Sequence, residues 1–114
     1  MGSIKRPVQT NDRNIRQIAG RITNSGTPAI AAGHEFSISD DGVGVVTITL
    51  DKPGRSIVGL SAIVVEATAA TAHLVKATAI SASAVTFNTF VADATDGAPA
   101  DVDFAFSITV KDSE

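Results

Sequence analysis

The chain has 114 residues, enough for one domain that buries roughly two-thirds of the surface its unfolded form exposes. Hydrophobic residues make up 44% of it, mostly Ala, Val and Ile, with five Phe and neither Trp nor Tyr, a composition that suits pleated sheet better than helix. Cysteine is absent, which excludes disulfides and thiolate metal sites, and the net charge of −3 is split between a basic start and an acidic body.

Residues 1–21 carry Lys5, Arg6, Arg13, Arg16 and Arg21 against Asp12 alone, a local balance of +4. Residues 22–114 carry four basic and eleven acidic residues, a balance of −7. Residues 1–15 have no hydrophobic period and few side chains able to bury themselves, so they are expected to form an extended basic arm preceding a domain over residues 16–114. Two readings of the arm stand side by side: a frayed terminus, or a segment that orders on a neighbouring subunit through Lys5, Arg6, Arg13 and Arg16. Its cations are not interleaved with aromatic rings, the stacking platforms of single-strand binders, so nucleic acid is not expected as a partner. The longest apolar run, residues 62–65, is too short to span a bilayer, and no apolar signal stretch opens the chain. Neither membrane insertion nor export is expected.

Residues 16–23 alternate as a first strand with Ile18 and Ile22 facing inward, and Asn24-Ser25-Gly26-Thr27-Pro28 reads as a turn. A second strand is expected over 33–39, with His34, Phe36 and Ile38 on one face, closed by a hairpin turn at Asp40-Asp41-Gly42. In the third, 43–50, Val46, Ile48 and Leu50 point one way and Val45, Thr47 and Thr49 the other. Asp51-Lys52-Pro53-Gly54 is a turn. Residues 56–68 are evenly apolar, as in a central strand covered on both faces. After a loop at 69–72, a fifth strand runs over 73–80 and, past Ser81-Ala82-Ser83, a sixth over 84–91. Residues 92–100 read as a structureless loop before a last strand over 102–110, in which Phe104, Phe106, Ile108 and Val110 share one face, the expected centre of the core. Seven short strands separated by turn signals, with no helical period, predict an all-β antiparallel sandwich or jelly roll.

Catalytic and ligand chemistry finds no support in the residues. Gly42-Val43-Gly44 lacks the third glycine and the following helix of a phosphate loop, and His34-Glu35 lacks a second histidine four positions after the first. His34 and His73 are lone histidines in expected strands. Asp40 with Asp41 fits a turn, and Asp101 with Asp103 fits solvent-side positions at a strand start; neither pair has calcium-loop spacing. No serine or carboxylate has a base oriented by a third group, so the chain is expected to be no enzyme and to use no cofactor or metal.

Residues 74–87, LVKATAISASAVTF, followed by residues 96–106, DGAPADVDFAF, resemble a pattern of small β-sandwich domains in tailed-bacteriophage virion proteins. Residues 33–38 and 42–50, with 53–65, are similar to the earlier strands of those domains, so the resemblance spans about residues 16–110. Such domains resemble the H-type lectin sandwich and usually assemble as trimers. The resemblance implies a capsid decoration, or cement, protein on the virion surface, with the major capsid protein of the shell and further copies of itself as partners. The alternative it leaves is a tail-fibre or receptor-binding module for host glycans. The tryptophan such lectins often carry near the last strand is missing, Phe106 standing in that region, and no position matches a sugar-binding residue.

Overall fold

The computed structural model describes residues 14–66, 72–92 and 97–112. Lys5, Arg6, Arg13, residues 67–68 of the strand expected over 56–68, 69–71 of the loop expected over 69–72 and 93–96 of the loop expected over 92–100 lie outside them. The described residues form eight strands: β1 (Ile15–Asn24), β2 (Pro28–Ala32), β3 (Phe36–Gly42), β4 (Val45–Leu50), β5 (Ser56–Val64), β6 (His73–Ile80), β7 (Ala84–Val91) and β8 (Phe104–Lys111). They make two four-stranded antiparallel sheets, ordered β2-β1-β8-β5 and β3-β4-β7-β6, which we call sheets A and B.

The expected period-2 faces form the layer between the sheets. Ile18 and Ile22 of β1, Val46, Ile48 and Leu50 of β4, Val85 and Phe87 of β7, and Phe104, Phe106, Ile108 and Val110 of β8 are all buried. Strand β8 lies inside sheet A, paired with both β1 and β5, and therefore lays its aromatic face across the middle of the core. Phe106 meets Phe36 of β3 edge-on, ring centroids 5.1 Å apart, and stands 5.8 Å from Phe87. This contact ties sheet A to sheet B. Gly20 makes room for it: a Cβ there would sit 2.5 Å from Phe36 Cζ and 2.9 Å from Phe106 Cε1.

The strand count differs from the expected seven because of β2. Its five residues are Ala-rich and largely exposed, so they show no inward–outward alternation. They are held instead by backbone pairing to β1 at the edge of sheet A, with Pro28 at the first position, where a missing N–H is tolerated. The second expected strand starts later than residue 33. Glu35 takes φ 74°, which breaks extended pairing and leaves His34 exposed in the approach to β3 instead of on the inward face. The hairpin between β3 and β4 turns at Val43-Gly44, not at Asp40-Asp41-Gly42. A register shift between Asp40 and Gly42 carries the strand further, and Gly44 takes φ 68° so close to β7 that a Cβ would lie 2.4 Å from the Thr89 carbonyl oxygen.

Among the described residues, the evenly apolar run that opens at Ser56 forms an edge strand, not a central one. Strand β5 ends at Val64 and, among the described residues, pairs only with β8. One of its faces packs Ile57, Leu60 and Ala62 against the core, while Val58 and Ile63 are 54% and 67% exposed. The expected structureless loop is also partly built: Pro99 bridges Phe90, the Ala100 N–H donates to the Thr89 carbonyl at 3.1 Å, and Thr89 Oγ1 donates to the Ala100 carbonyl at 2.5 Å. Asp101 and Asp103 are half-buried connectors, not solvent-side residues. Asp101 Oδ1 accepts from the Gly44 N–H at 2.7 Å and from Asn24 Nδ2 at 3.3 Å, and Asp103 Oδ1 accepts from the Asn24 N–H at 2.7 Å. Together they pin the end of β1 and the β3–β4 turn to the start of β8.

Candidate interaction surface

The two outer faces of the sandwich differ in chemistry. On sheet B most of the outward polar side chains satisfy one another across the strands, while Leu74 of β6 is 52% exposed. Thr47 Oγ1 lies 3.0 Å from Thr86 Oγ1 and also donates to the Asp41 carboxylate, which accepts from Ser39 Oγ at 3.2 Å. Thr78 Oγ1 donates to Asn88 Oδ1 at 2.7 Å, and Lys76 Nζ stands 5.6 Å from the centre of the Phe90 ring. Polar residues placed opposite each other use up their own bonding capacity in this way.

On sheet A the outward positions toward β5 are small or aliphatic. Ala19 of β1, Ala105 and Ser107 of β8, and Ser61 and Ile63 of β5 line up through the pairs Ala19↔Ser107, Ser61↔Ser107 and Ile63↔Ala105. A depression of about 270 Å3 lies at Ser61, Ala62, Ile63, Ala105, Phe106 and Ser107. Ile63, Val58 and Val65 (36% exposed) continue the apolar surface along β5. Polar groups border this surface on β1, where the exposed Arg21 pairs with Ala105 and Gln17 Nε2 donates to Ser107 Oγ at 3.1 Å. Such a surface has no chemistry for catalysis. It offers contact area, with the largest return from burying Ile63 and Val58.

Of the four cations expected to bind a partner, Arg16 alone falls among the described residues. It belongs to β1, which begins at Ile15 within the expected arm. Its Nε donates to both Asp112 oxygens at 2.9 and 2.8 Å, and Nη2 donates to the Lys52 carbonyl. Arg16 therefore joins the start of β1, the turn before β5 and the end of β8. Its side chain is only 25% exposed.

A second depression, of about 320 Å3, lies at the opposite end of β1, lined by Gly26, Asp40, Gly42, Val43 and Asp101. Its carboxylates are occupied: Asp40 Oδ1 accepts from the Gly42 N–H at 3.2 Å, and Asp101 is bound as described above. His73 Nδ1 lies 2.6 Å from Glu66 Oε1, closing the ends of β5 and β6 toward each other. His34 Nε2 lies 3.5 Å from Glu35, both side chains exposed. Among the described residues no three His, Asp or Glu side chains gather as a metal site.

No family model, curated protein or solved structure matches the chain.

Proposed function

We propose that the chain is a structural assembly protein of a bacteriophage virion, a capsid decoration (cement) protein that binds the shell as a homo-oligomer. The observation that carries the proposal is the outer face of sheet A: Ile63 and Val65 lie exposed beside Ala105, with Val58 exposed further back along β5, whereas most of the outward polar side chains of sheet B bond to one another, Leu74 (52% exposed) being its outward aliphatic residue. Exposed aliphatic side chains of this kind on a small domain mark a contact surface, which we assign to the contacts between copies in the oligomer. The basic arm, with Lys5, Arg6 and Arg13 against a body of balance −7, supplies the second contact, and several arms on one oligomer raise avidity without a large interface for each. Arg16, tied to Asp112, serves the fold and not the shell.

The experiment is binding to empty shells by three proteins: the full chain, a chain lacking residues 2–13, and Ile63→Lys. Both altered proteins should bind more weakly, Ile63→Lys because a charge replaces the exposed aliphatic centre of the patch. Shell binding equal in all three would refute the proposal, and binding to host cells instead of shells would move the role to a tail fibre.

A further inference from the structure

Strand β5 leaves one edge without a partner among the described residues, and that edge is unlike the other three. The β2 edge is five residues long and begins with Pro28. The β3 edge carries Asp40 and Asp41 near its end. The β6 edge carries Lys76 and a register shift between Ala77 and Ala79. These are the usual ways of stopping a sheet from adding strands. Strand β5 has nine residues, no charge and no proline, and its register shift lies near its beginning, between Ile57 and Gly59. From Gly59 to Val64 nothing blunts it.

We propose that residues 3–9 of the same chain, Ser3-Ile4-Lys5-Arg6-Pro7-Val8-Gln9, dock antiparallel on this edge as a fifth strand of sheet A. Position, reach and sequence all fit. Ile15 and Ser56 both pair with Lys111, so the arm departs two strand spacings from the start of β5. A new strand beyond β5 whose end faces Gly59 lies three spacings across and about 10 Å along from Ile15, about 17 Å in all. The six steps from Gln9 to Ile15 reach at most about 20 Å, and Thr10-Asn11-Asp12-Arg13-Asn14 is the composition of a loop connection. Direction is consistent as well, since β1, β8 and β5 alternate and a strand antiparallel to β5 ends where β1 begins.

Pro7 sets the register parity. In a strand, alternate residues turn their N–H and C=O to the same neighbour. Ile4, Arg6 and Val8 form the set with every donor intact, and this set faces β5. Ser3, Lys5, Pro7 and Gln9 face outward, where the missing donor of Pro7 and the charge of Lys5 blunt the new edge. Because successive side chains alternate between the faces of the sheet, the docked arm sets one of the two neighbouring cations, Lys5 or Arg6, on the outer face beside Ile63. The inference stands independently of any shell.

The test is amide hydrogen exchange on the isolated protein. In the full chain the edge amides within residues 59–64 should exchange at least about tenfold more slowly than in a chain lacking residues 2–10, with β1 and β8 protection unchanged as the control for folding. Val8→Pro removes a donor that faces β5 and should match the deletion, whereas Gln9→Pro removes one that faces outward and should match the full chain. Equal β5 exchange with and without the arm would overturn the proposal. So would equal effects of the two prolines, or a protection that grows with protein concentration, which would assign the edge to a second copy.

Discussion

Phe106 and Phe90 are both phenylalanines on neighbouring stretches of the chain's second half, yet truncating them should have very different consequences. The Phe106 ring is 4% exposed and touches the rings of Phe36, Phe87 and Phe104, with centroids 5.1, 5.8 and 6.4 Å away. Phe106→Ala removes the transfer free energy of a buried ring and leaves a cavity between two sheets that β8 and its partners hold apart. The expected loss is about 3–5 kcal/mol. A domain of this size has about 5–15 kcal/mol in all, so the midpoint of thermal unfolding should fall by roughly 15 °C or more. Phe90 is half-buried on the outer side of β7, under Lys76, and Phe90→Ala should cost under about 2 kcal/mol. Urea unfolding of both variants, with the slope held equal to that of the native chain, measures the two losses. A loss under about 1 kcal/mol for Phe106→Ala, or a larger one for Phe90→Ala, would mean that the inward and outward faces are exchanged.

Gly20→Ala should destabilise by about 1–3 kcal/mol, because its Cβ would sit 2.5 Å from Phe36 Cζ, and combining it with Phe36→Leu should cost less than the two separate losses added together; a double-mutant unfolding cycle checks this. Thr89→Val keeps the shape of a side chain that is 2% exposed but removes the donor to the Ala100 carbonyl, with an expected loss of about 1–3 kcal/mol by the same unfolding measurement. Asp101→Ala deprives the Gly44 N–H and the Asn24 side-chain amide of their acceptor. It should cost a similar amount and speed amide exchange at Gly44. Arg16→Met, at a pair that is 25% and 40% exposed, should lower stability by only about 1 kcal/mol and leave shell binding as in the native chain.

The parts of the fold legible in the sequence are those where one face is buried and the other wet. Strands β1, β4 and β8 announce themselves by strict alternation, Ile18 with Ile22, Val46 with Ile48 and Leu50, and Phe104 through Val110, because burial acts on every second side chain. Strand β2 shows no such signal: Ala29, Ile30, Ala31 and Ala32 are all exposed, and the bonds that make them a strand are backbone bonds to β1. Strand β5 misleads for the opposite reason. An apolar run fits a central strand with two covered faces and equally an edge strand that keeps an apolar face outward, and only the pairing order separates them. The surface at Ile63 was therefore invisible as a surface. Arg16 looks like one more cation of the arm until β8 brings Asp112 alongside, 96 residues further on. Asp101 and Asp103 likewise read as solvent-side positions, since nothing local reveals Asn24 and Gly44 as their donors.

Self-association through the outer face of sheet A is the claim on which the assembly role turns, and the mass of the protein in solution tests it most directly. Sedimentation equilibrium of the native chain should give an oligomer, the trimer being three times 11.6 kDa, or about 35 kDa, and Ile63→Lys should shift it toward the single chain. A native protein that sediments at 11.6 kDa at every concentration, or an oligomer indifferent to Ile63→Lys, would contradict it.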